Sequence, residues 1–530
     1  MKATYIDYSD TRSFSNALIR FLANDAELKN FSSYKADVKG FDELLKNRKF
    51  GSSRTTLQEV LTEQYSKLPS SVHPKVKKNI DSLLLQNTYT VCTGHQLNIF
   101  TGPLYFIFKI VTAINLAKDL KSKFPDKNFV PVYWMATEDH DFAEINHTYI
   151  SDKKISWQQT AAGATGRLET KGIEGAIREY TATLGLSDHA EELSKLIKSA
   201  YTENKTLADA TRHLVNALFE EYGLVILDAD DRRLKTQFSS IITEDIIHQS
   251  SFRNISETNR NLQDKEVEPQ VNPREINFFY LLDGLRERIV HEDGLYKVLN
   301  SDIIFNEPEL KQEINEYPER FSPNVIMRPL YQELILPNLA YIGGGAEIIY
   351  WLQLKQNFDH YGIDFPILLL RNSAMITGMN LNAKLKRLDL SFKDIFKDTE
   401  SLKKEWVLAH SNHTLDLNDE WQEINSIFEK INLRTYKIDP TLGPSAEAVK
   451  VRLHKAFKNL ETKLIKAEKR NFSDAISQIE AIKLKLFPNG GLQERKENFG
   501  SFYVKHGKNF IQILMEHFKP LELKFTILEE

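Results

Sequence analysis

Short apolar runs and longer amphipathic stretches alternate along this chain, and polar clusters gather where the runs end. Tyr89-Thr90-Val91-Cys92 and Phe129-Val130-Pro131-Val132-Tyr133 have the length and β-branched or aromatic content of buried strands, and Leu104 to Phe124 between them reads as a helix. The first run leads into Thr93-Gly94-His95-Gln96 and then Thr101-Gly102-Pro103. The second leads into Trp134-Met135-Ala136-Thr137 and the acidic Glu138-Asp139-His140-Asp141. In a parallel strand–helix–strand unit the strand exits share one edge of the sheet, the edge where ligands bind. The pattern therefore predicts a site at that edge.

The same signals recur downstream. Residues 1 to about 85 read as helical and polar-rich, and 1–160 are expected to hold these helices and the first part of an α/β core. Residues 161–222 turn helical and read as an insertion. The core resumes over 223–263 with the buried strand Gly223-Leu224-Val225-Ile226-Leu227-Asp228. A second insertion, irregular but with strand-like Phe278-Phe279-Tyr280-Leu281, spans 264–312. The second part of the core, 313–384, carries Leu339-Ala340-Tyr341-Ile342, then Gly343-Gly344-Gly345-Ala346-Glu347 opening a helix, then Phe365 to Leu370 ending in Arg371-Asn372. Over 385–487, Leu417, Trp421, Ile424, Phe428 and Ile431 mark one helical stripe. Val449, Leu453, Ala456, Leu460, Leu464 and Ala467 mark another, with Pro440 and Gly443 at the turn, which predicts a helical hairpin or coiled coil. Residues 488–530 form a C-terminal segment.

Composition narrows the class. At 530 residues the chain exceeds one simple domain, and its 41% hydrophobic and 27% charged residues are ordinary for a globular protein. A net charge of -4 gives no bulk attraction to nucleic acid or to an anionic membrane. The single cysteine, Cys92, excludes an internal disulfide framework and fits a reducing, cytoplasmic setting. It lies in an apolar strand and reads as core. The apolar window Leu97 to Ala117 approaches a membrane span in length, but Gly102-Pro103 breaks it and Lys109 sits at its middle, so a buried helix is expected.

Four groups could carry chemistry. His95, beside Thr93, Gly94, Gln96, Thr101 and Gly102, suits an anion contact or general acid/base work; a hydrogen-bonded loop histidine is the plain alternative. Glu138, Asp139, His140 and Asp141 suit a substrate ammonium or proton transfer. No metal is expected, because even with His147 added the spacing matches no standard zinc pattern. Gly343, Gly344 and Gly345 ahead of a helix offer backbone N–H groups to an anion, or simply a tight turn, and Glu347 in the first turn favours an amine. Arg371 at a strand exit could hold a carboxylate.

Four segments carry a resemblance: TGHQLNIFTGPLYFIFK, VYWMATEDHDFAEINH, RPLYQELILPNLAYIGGGAEIIYWLQLK and PNGGLQER. In order and over essentially the whole chain they resemble the bacillithiol biosynthesis cysteine-adding enzymes. That resemblance implies an α/β fold with a Rossmann-like core related to nucleotidyl transferases and class I aminoacyl-tRNA synthetases. It further implies connective-peptide-like insertions and a long α-helical coiled coil supporting a homodimer. The implied reaction is a ligase step joining the carboxyl of cysteine to the amine of glucosaminyl-malate. It places His95, Gln96, Thr101, Gly102, the acidic loop, Gly343, Gly344 and Glu347 about the core pocket. ATP or another nucleotide is the activating agent such a step would use, although the chain has no verbatim HxGH and no KMSKS-type lysine loop. By their chemistry, Asp139 or Asp141 would hold an ammonium and His95 or His140 would take a proton. His95 and Asp141 are expected to converge on one pocket. A related enzyme acting on another acid and a non-catalytic coiled-coil scaffold are the competing readings.

Overall fold

The computed structural model describes residues 1–530. The chain forms two compact units: residues 1–9, 13–375 and 492–528 make the first, and 10–12, 376–491 and 529–530 the second. No helix is long and apolar enough to cross a membrane.

The first unit is built on five parallel strands: β1 (Thr88–His95), β2 (Asn128–Met135), β3 (Val225–Asp228), β4 (Asn338–Gly343) and β5 (Ile367–Leu370), in the order β5-β4-β1-β2-β3. Chain order reverses between β1 and β4. Helix α1 (Tyr105–Lys123) leads from β1 to β2 and lays Ala113, Leu116, Ala117 and Leu120 on Val91, Phe129, Leu339 and Ile342 of the sheet. The strands read as near-continuous apolar runs because both sheet faces are covered. Cys92 is fully buried, and burial pushes its thiol well above the usual range.

Residues 1–85 are not wholly helical: the chain opens on a strand, Lys2–Asp7, which pairs with the C-terminal strand Lys524–Glu529. Between β2 and β3 lie the helix Glu174–Leu184 and then α2 (Asp188–Thr202) and α3 (Leu207–Phe219). The second insertion is an antiparallel sheet. Its strands Phe278–Leu282, Leu285–Glu292, Leu295–Val298 and Ile304–Phe305 are joined on the far side by Phe321–Pro323, past the expected limit of 312. Its second hairpin turns on Asp293 and Gly294, both at positive φ (54° and 77°), the conformation a two-residue turn of matching twist requires. Residues 492–528 pack with the first unit, so the C-terminal segment belongs to the α/β body.

The main segment of the second unit begins at Ile376, ahead of the expected 385. Its long helices α5 (Asn418–Ile438) and α6 (Gly443–Asn471) run antiparallel about Pro440–Leu442. Trp421 meets His454 and Phe457 at ring-centroid distances of 4.3 and 5.7 Å. The second predicted stripe does not continue as one helix to 487. Phe472 interrupts it, and a separate helix, Ser473–Leu486, packs on Thr399–His410, with Lys403 paired to Glu480 at 2.7 Å.

Candidate functional site

At the exits of β1 and β4, where chain order reverses, the first unit encloses a cavity of about 910 Å³. Such reversal points leave a crevice beyond the strand ends in parallel sheets. Six basic side chains line it, Lys109, Arg274, Arg286, Arg328, Arg371 and Arg495, against three acidic ones, Asp139, Glu144 and Glu347. Gly94, His95 and Gln96 enter from β1, and Gly344, Gly345 and Glu347 from the start of the helix Gly345–Leu352 (α4).

One corner is a closed network. Lys109 is buried on α1, its ammonium donating to the Gly94 carbonyl at 2.7 Å and pairing with Glu347 at 2.5 Å. Burial lowers the Lys109 pKa, and Glu347 opposes that shift. Glu347 also accepts from the Tyr341 hydroxyl at 2.8 Å and from Gly344 N–H at 2.7 Å, so its carboxylate caps α4. His95 stacks on Tyr105 at 5.2 Å. Its Nδ1 accepts from the Gln96 N–H at 2.8 Å, so the neutral ring carries its hydrogen on Nε2, and Nε2 is buried without a partner. Burial, reinforced by the charges of Lys109 and Arg371, holds the imidazole well below its usual pKa.

The acidic loop is dispersed rather than pooled. Glu138 is buried outside the cavity wall and pairs with buried Lys235 at 2.5 Å. Asp139 lines the cavity but is held by Arg328, with Nη1 to Oδ2 at 3.1 Å. Burial acts to raise its pKa, yet the guanidinium keeps it below the usual range. His140 stands behind Arg286, whose Nη1 lies 2.5 Å from the imidazole Nδ1. A guanidinium can only donate, so that lone pair is occupied as well. Burial and then the Arg286 charge lower the His140 pKa. Asp141 is exposed and caps the short helix Phe142–Ile145 through Glu144 N–H at 3.2 Å. It is absent from the cavity wall, so the expected convergence of His95 and Asp141 does not occur. Nor does either histidine offer a free lone pair to a proton in this arrangement.

Several other predicted residues are structural supports. The Thr93 hydroxyl donates to Ile342 O at 2.8 Å, tying β1 to β4. Phe100, Thr101 and Gly102 all take positive φ (52°, 70° and 62°), and the Asn498 amide holds the Phe100 and Gly102 carbonyls at 2.9 and 2.6 Å. Thr101, Gly102 and Gly343 lie outside the cavity wall. Arg371 reaches the cavity but pairs with buried Glu494 at 2.6 Å, so it already has its carboxylate. Gln96 lines the cavity and donates to Glu144 at 2.6 Å.

Residues 1–372 match the family described as the bacillithiol biosynthesis BshC N-terminal Rossmann-like domain, and 374–530 match the BshC C-terminal coiled-coil domain. The chain belongs to the BshC family. Proteins named "Putative cysteine ligase BshC" resemble it end to end. That of Flavobacterium johnsoniae is 43% identical, covering 100% of both chains, and that of Flavobacterium psychrophilum 42%, again over 100% of both. That of Christiangramia forsetii is 42% identical over 100% of this chain and 99% of its own. A solved arginyl-tRNA synthetase-type structure from Campylobacter jejuni aligns over 84% of this chain and 99% of that one. At 10% identity and a TM-score of 0.22 it carries no structural argument. The BshC assignment makes this protein a member of a ligase-named family of bacillithiol biosynthesis with a Rossmann-like and a coiled-coil domain.

Within this BshC chain, the cationic wall is what sequence reasoning missed. Arg274 and Arg286 come from the second insertion, Arg328 from the start of the helix Met327–Ile335, and Arg495 from the C-terminal segment. One signal was present: Asp283-Gly284 and Asp293-Gly294 bracket a strand-length run, marking the hairpins that carry Arg286.

Proposed function

We propose that this protein is the ligase that joins the carboxyl of cysteine to the amine of glucosaminyl-malate, the last step of bacillithiol biosynthesis. The observation that carries this reading is the excess of cationic donors in one cavity at the strand-order reversal, in a chain of the BshC family. Glucosaminyl-malate brings two carboxylates to such a wall. Glu144 is the cavity carboxylate without a cationic partner, and we assign the cysteine ammonium to its side.

A free carboxylate is a poor electrophile, so the reaction needs an activated acyl group, and we assign ATP as the co-reactant. The acyl oxygen leaves with the phosphorus of the activating group. The amine nitrogen takes its place at the carbonyl carbon, and the nitrogen then releases a proton. Backbone N–H groups in the first turn of α4, those of Gly345 and Ala346 on the cavity wall, fit a phosphate. His95, with its hydrogen on Nε2, serves as a donor to negative charge rather than as a base. The test is direct: purified protein with cysteine, glucosaminyl-malate and each nucleoside triphosphate, read by mass spectrometry. Formation of the amide with ATP supports the reading; folded protein giving no amide with any triphosphate refutes it.

We place the protein in the cytoplasm as a homodimer assembled through the helical unit. Ile427, Ile431 and Ile438 on α5 and Val449 and Leu460 on α6 leave apolar surface exposed at heptad-like spacing. Light scattering at micromolar concentration should give twice the chain mass; a monomer refutes the dimer.

A further inference from the structure

Five of the six cations in the cavity wall are accounted for. Lys109, Arg328 and Arg371 each pair with a carboxylate, and Arg274 and Arg495 are exposed to solvent. Arg286 is the exception. Only 7% of its surface is exposed, and no carboxylate pairs with it. Its guanidinium lies 4.0 Å from the Phe279 ring centroid, Nε donates to the Ser322 hydroxyl at 3.1 Å, and Nη1 donates to His140 Nδ1. Nη2 has no protein partner. Burial lowers this guanidinium to about 10, with the nearby Arg328 charge adding to the effect and Asp139 opposing it. Burying a cation without its counter-ion is costly, and a fold that retains one on a cavity wall has left the counter-ion to be supplied from outside.

We infer that Arg286, held in place by His140, Ser322 and Phe279, is the specificity residue for a carboxylate of the acidic substrate, with Arg274 drawing that end of the substrate in at the rim. The neutral partners fix the plane of the guanidinium without neutralising it, and its remaining N–H edge faces the cavity. A planar fork of donors matches a carboxylate better than a point charge would. His140 is a positioning residue here: its Nδ1 accepts from the guanidinium and orients it. The antiparallel insertion thereby becomes the element that reads the acid, while the β1 and α4 exits serve the reacting centre. This rests on the proposed ligase reading for the identity of the acid, but not for the existence of the anion site.

The experiment uses the full chain, with L-malate and inorganic phosphate as probes in thermal unfolding, and with substrate kinetics alongside. L-malate should raise the melting temperature of the wild type in a concentration-dependent way and leave Arg286→Met unmoved. Losing a hydrogen bond to a charged group should raise the KM for glucosaminyl-malate in Arg286→Met about tenfold to a hundredfold, with the KM for cysteine and for ATP unchanged. Arg286→Lys, which keeps the charge without the fork, should fall between. Because the native cation lacks a counter-ion, unliganded Arg286→Met should melt no lower than wild type. A variant that melts well below wild type would make Arg286 a structural residue and overturn the proposal. So would equal malate protection of wild type and Arg286→Met, no protection of either, or a loss confined to phosphate and ATP. If the wild type forms no amide, the ligase reading fails, and the malate measurements still decide the anion site.

Discussion

Replacing Lys109 with methionine tests whether the β1 exit is held by charge. The stem of Lys109 packs within α1 and against the sheet, and methionine can fill most of that space. What it cannot supply is the ammonium, which donates to the Gly94 carbonyl at 2.7 Å and pairs with Glu347 at 2.5 Å. Removing one partner of a buried pair costs about 3–5 kcal/mol. The Glu347 side chain is 25% exposed and keeps its bonds from Tyr341 and Gly344, which moves the expectation to the lower end of that range. Gly94 O loses its donor as well. The double variant Lys109→Met/Glu347→Gln removes both charges, so it should be less destabilised than the sum of the single changes, with a coupling of about 1–3 kcal/mol. Urea unfolding of the four proteins, followed by tryptophan fluorescence, gives the cycle, since Trp134 lines the same cavity. Amide formation should fall sharply in Lys109→Met, because Gly94 and the first turn of α4 lose their common tie. Strict additivity, or a Lys109→Met protein as stable as wild type, would refute the view that this pair organises the site.

Three further outcomes follow from the geometry. Gly102→Ala should destabilise by at least about 1–3 kcal/mol, the cost of a backbone region open essentially to glycine alone, since Gly102 stands at φ 62° and ψ −142° and its Cβ would also lie 2.6 Å from the Asn98 Cβ; unchanged urea unfolding would contradict the turn. Asp141→Asn should retain near-wild-type amide formation, since asparagine caps a helix as well as aspartate, whereas His95→Ala should lose it. Equal loss in both by mass spectrometry would return Asp141 to the site. Glu333 is fully buried and desolvation raises its carboxyl from 4.5 to about 7, so the folded chain keeps a proton that the unfolded chain releases between those values. Stability should therefore fall by about 3 kcal/mol as pH rises through that window, and Glu333→Gln should flatten that part of the melting profile; an unchanged slope would show that Glu333 does not titrate there.

The fold was legible where burial follows local pattern. All five core strands are short apolar runs, and α1 and α4 open behind Pro103 and the glycine turn as their residues require. The second insertion was harder, because its strands have one solvated face and read as irregular; beyond the strand-like Phe278 to Leu281, the Asp-Gly pairs are what disclose them. The site was legible in place but not in wiring. His95, Gln96, Gly94, Gly344 and Glu347 do meet at the β1 and β4 exits. Which charged group is free and which is bound depends on partners far along the chain: Lys235 for Glu138, Arg328 for Asp139, Glu494 for Arg371. Asp141, three residues before Glu144, is a helix cap that local reasoning could have identified.

The two histidines show why proximity of residue types is a weak guide to role. An imidazole serves as a base only through a nitrogen that carries a free lone pair. In His95 that lone pair is taken by the next backbone N–H, and in His140 by a guanidinium. His95 therefore keeps its hydrogen on Nε2, and His140 anchors a donor. A cavity walled by His95, helix-terminal amides and an unneutralised Arg286 is arranged to hold negative charge. Amide formation from an activated carboxyl makes that demand: charge builds on the carbonyl oxygen and on the departing phosphate, while the attacking amine needs only to arrive neutral. Preorganised donors lower such a barrier without taking a proton in the step that sets the rate. On the proposed ligase reading, such a site would work by electrostatic complementarity to an anionic transition state.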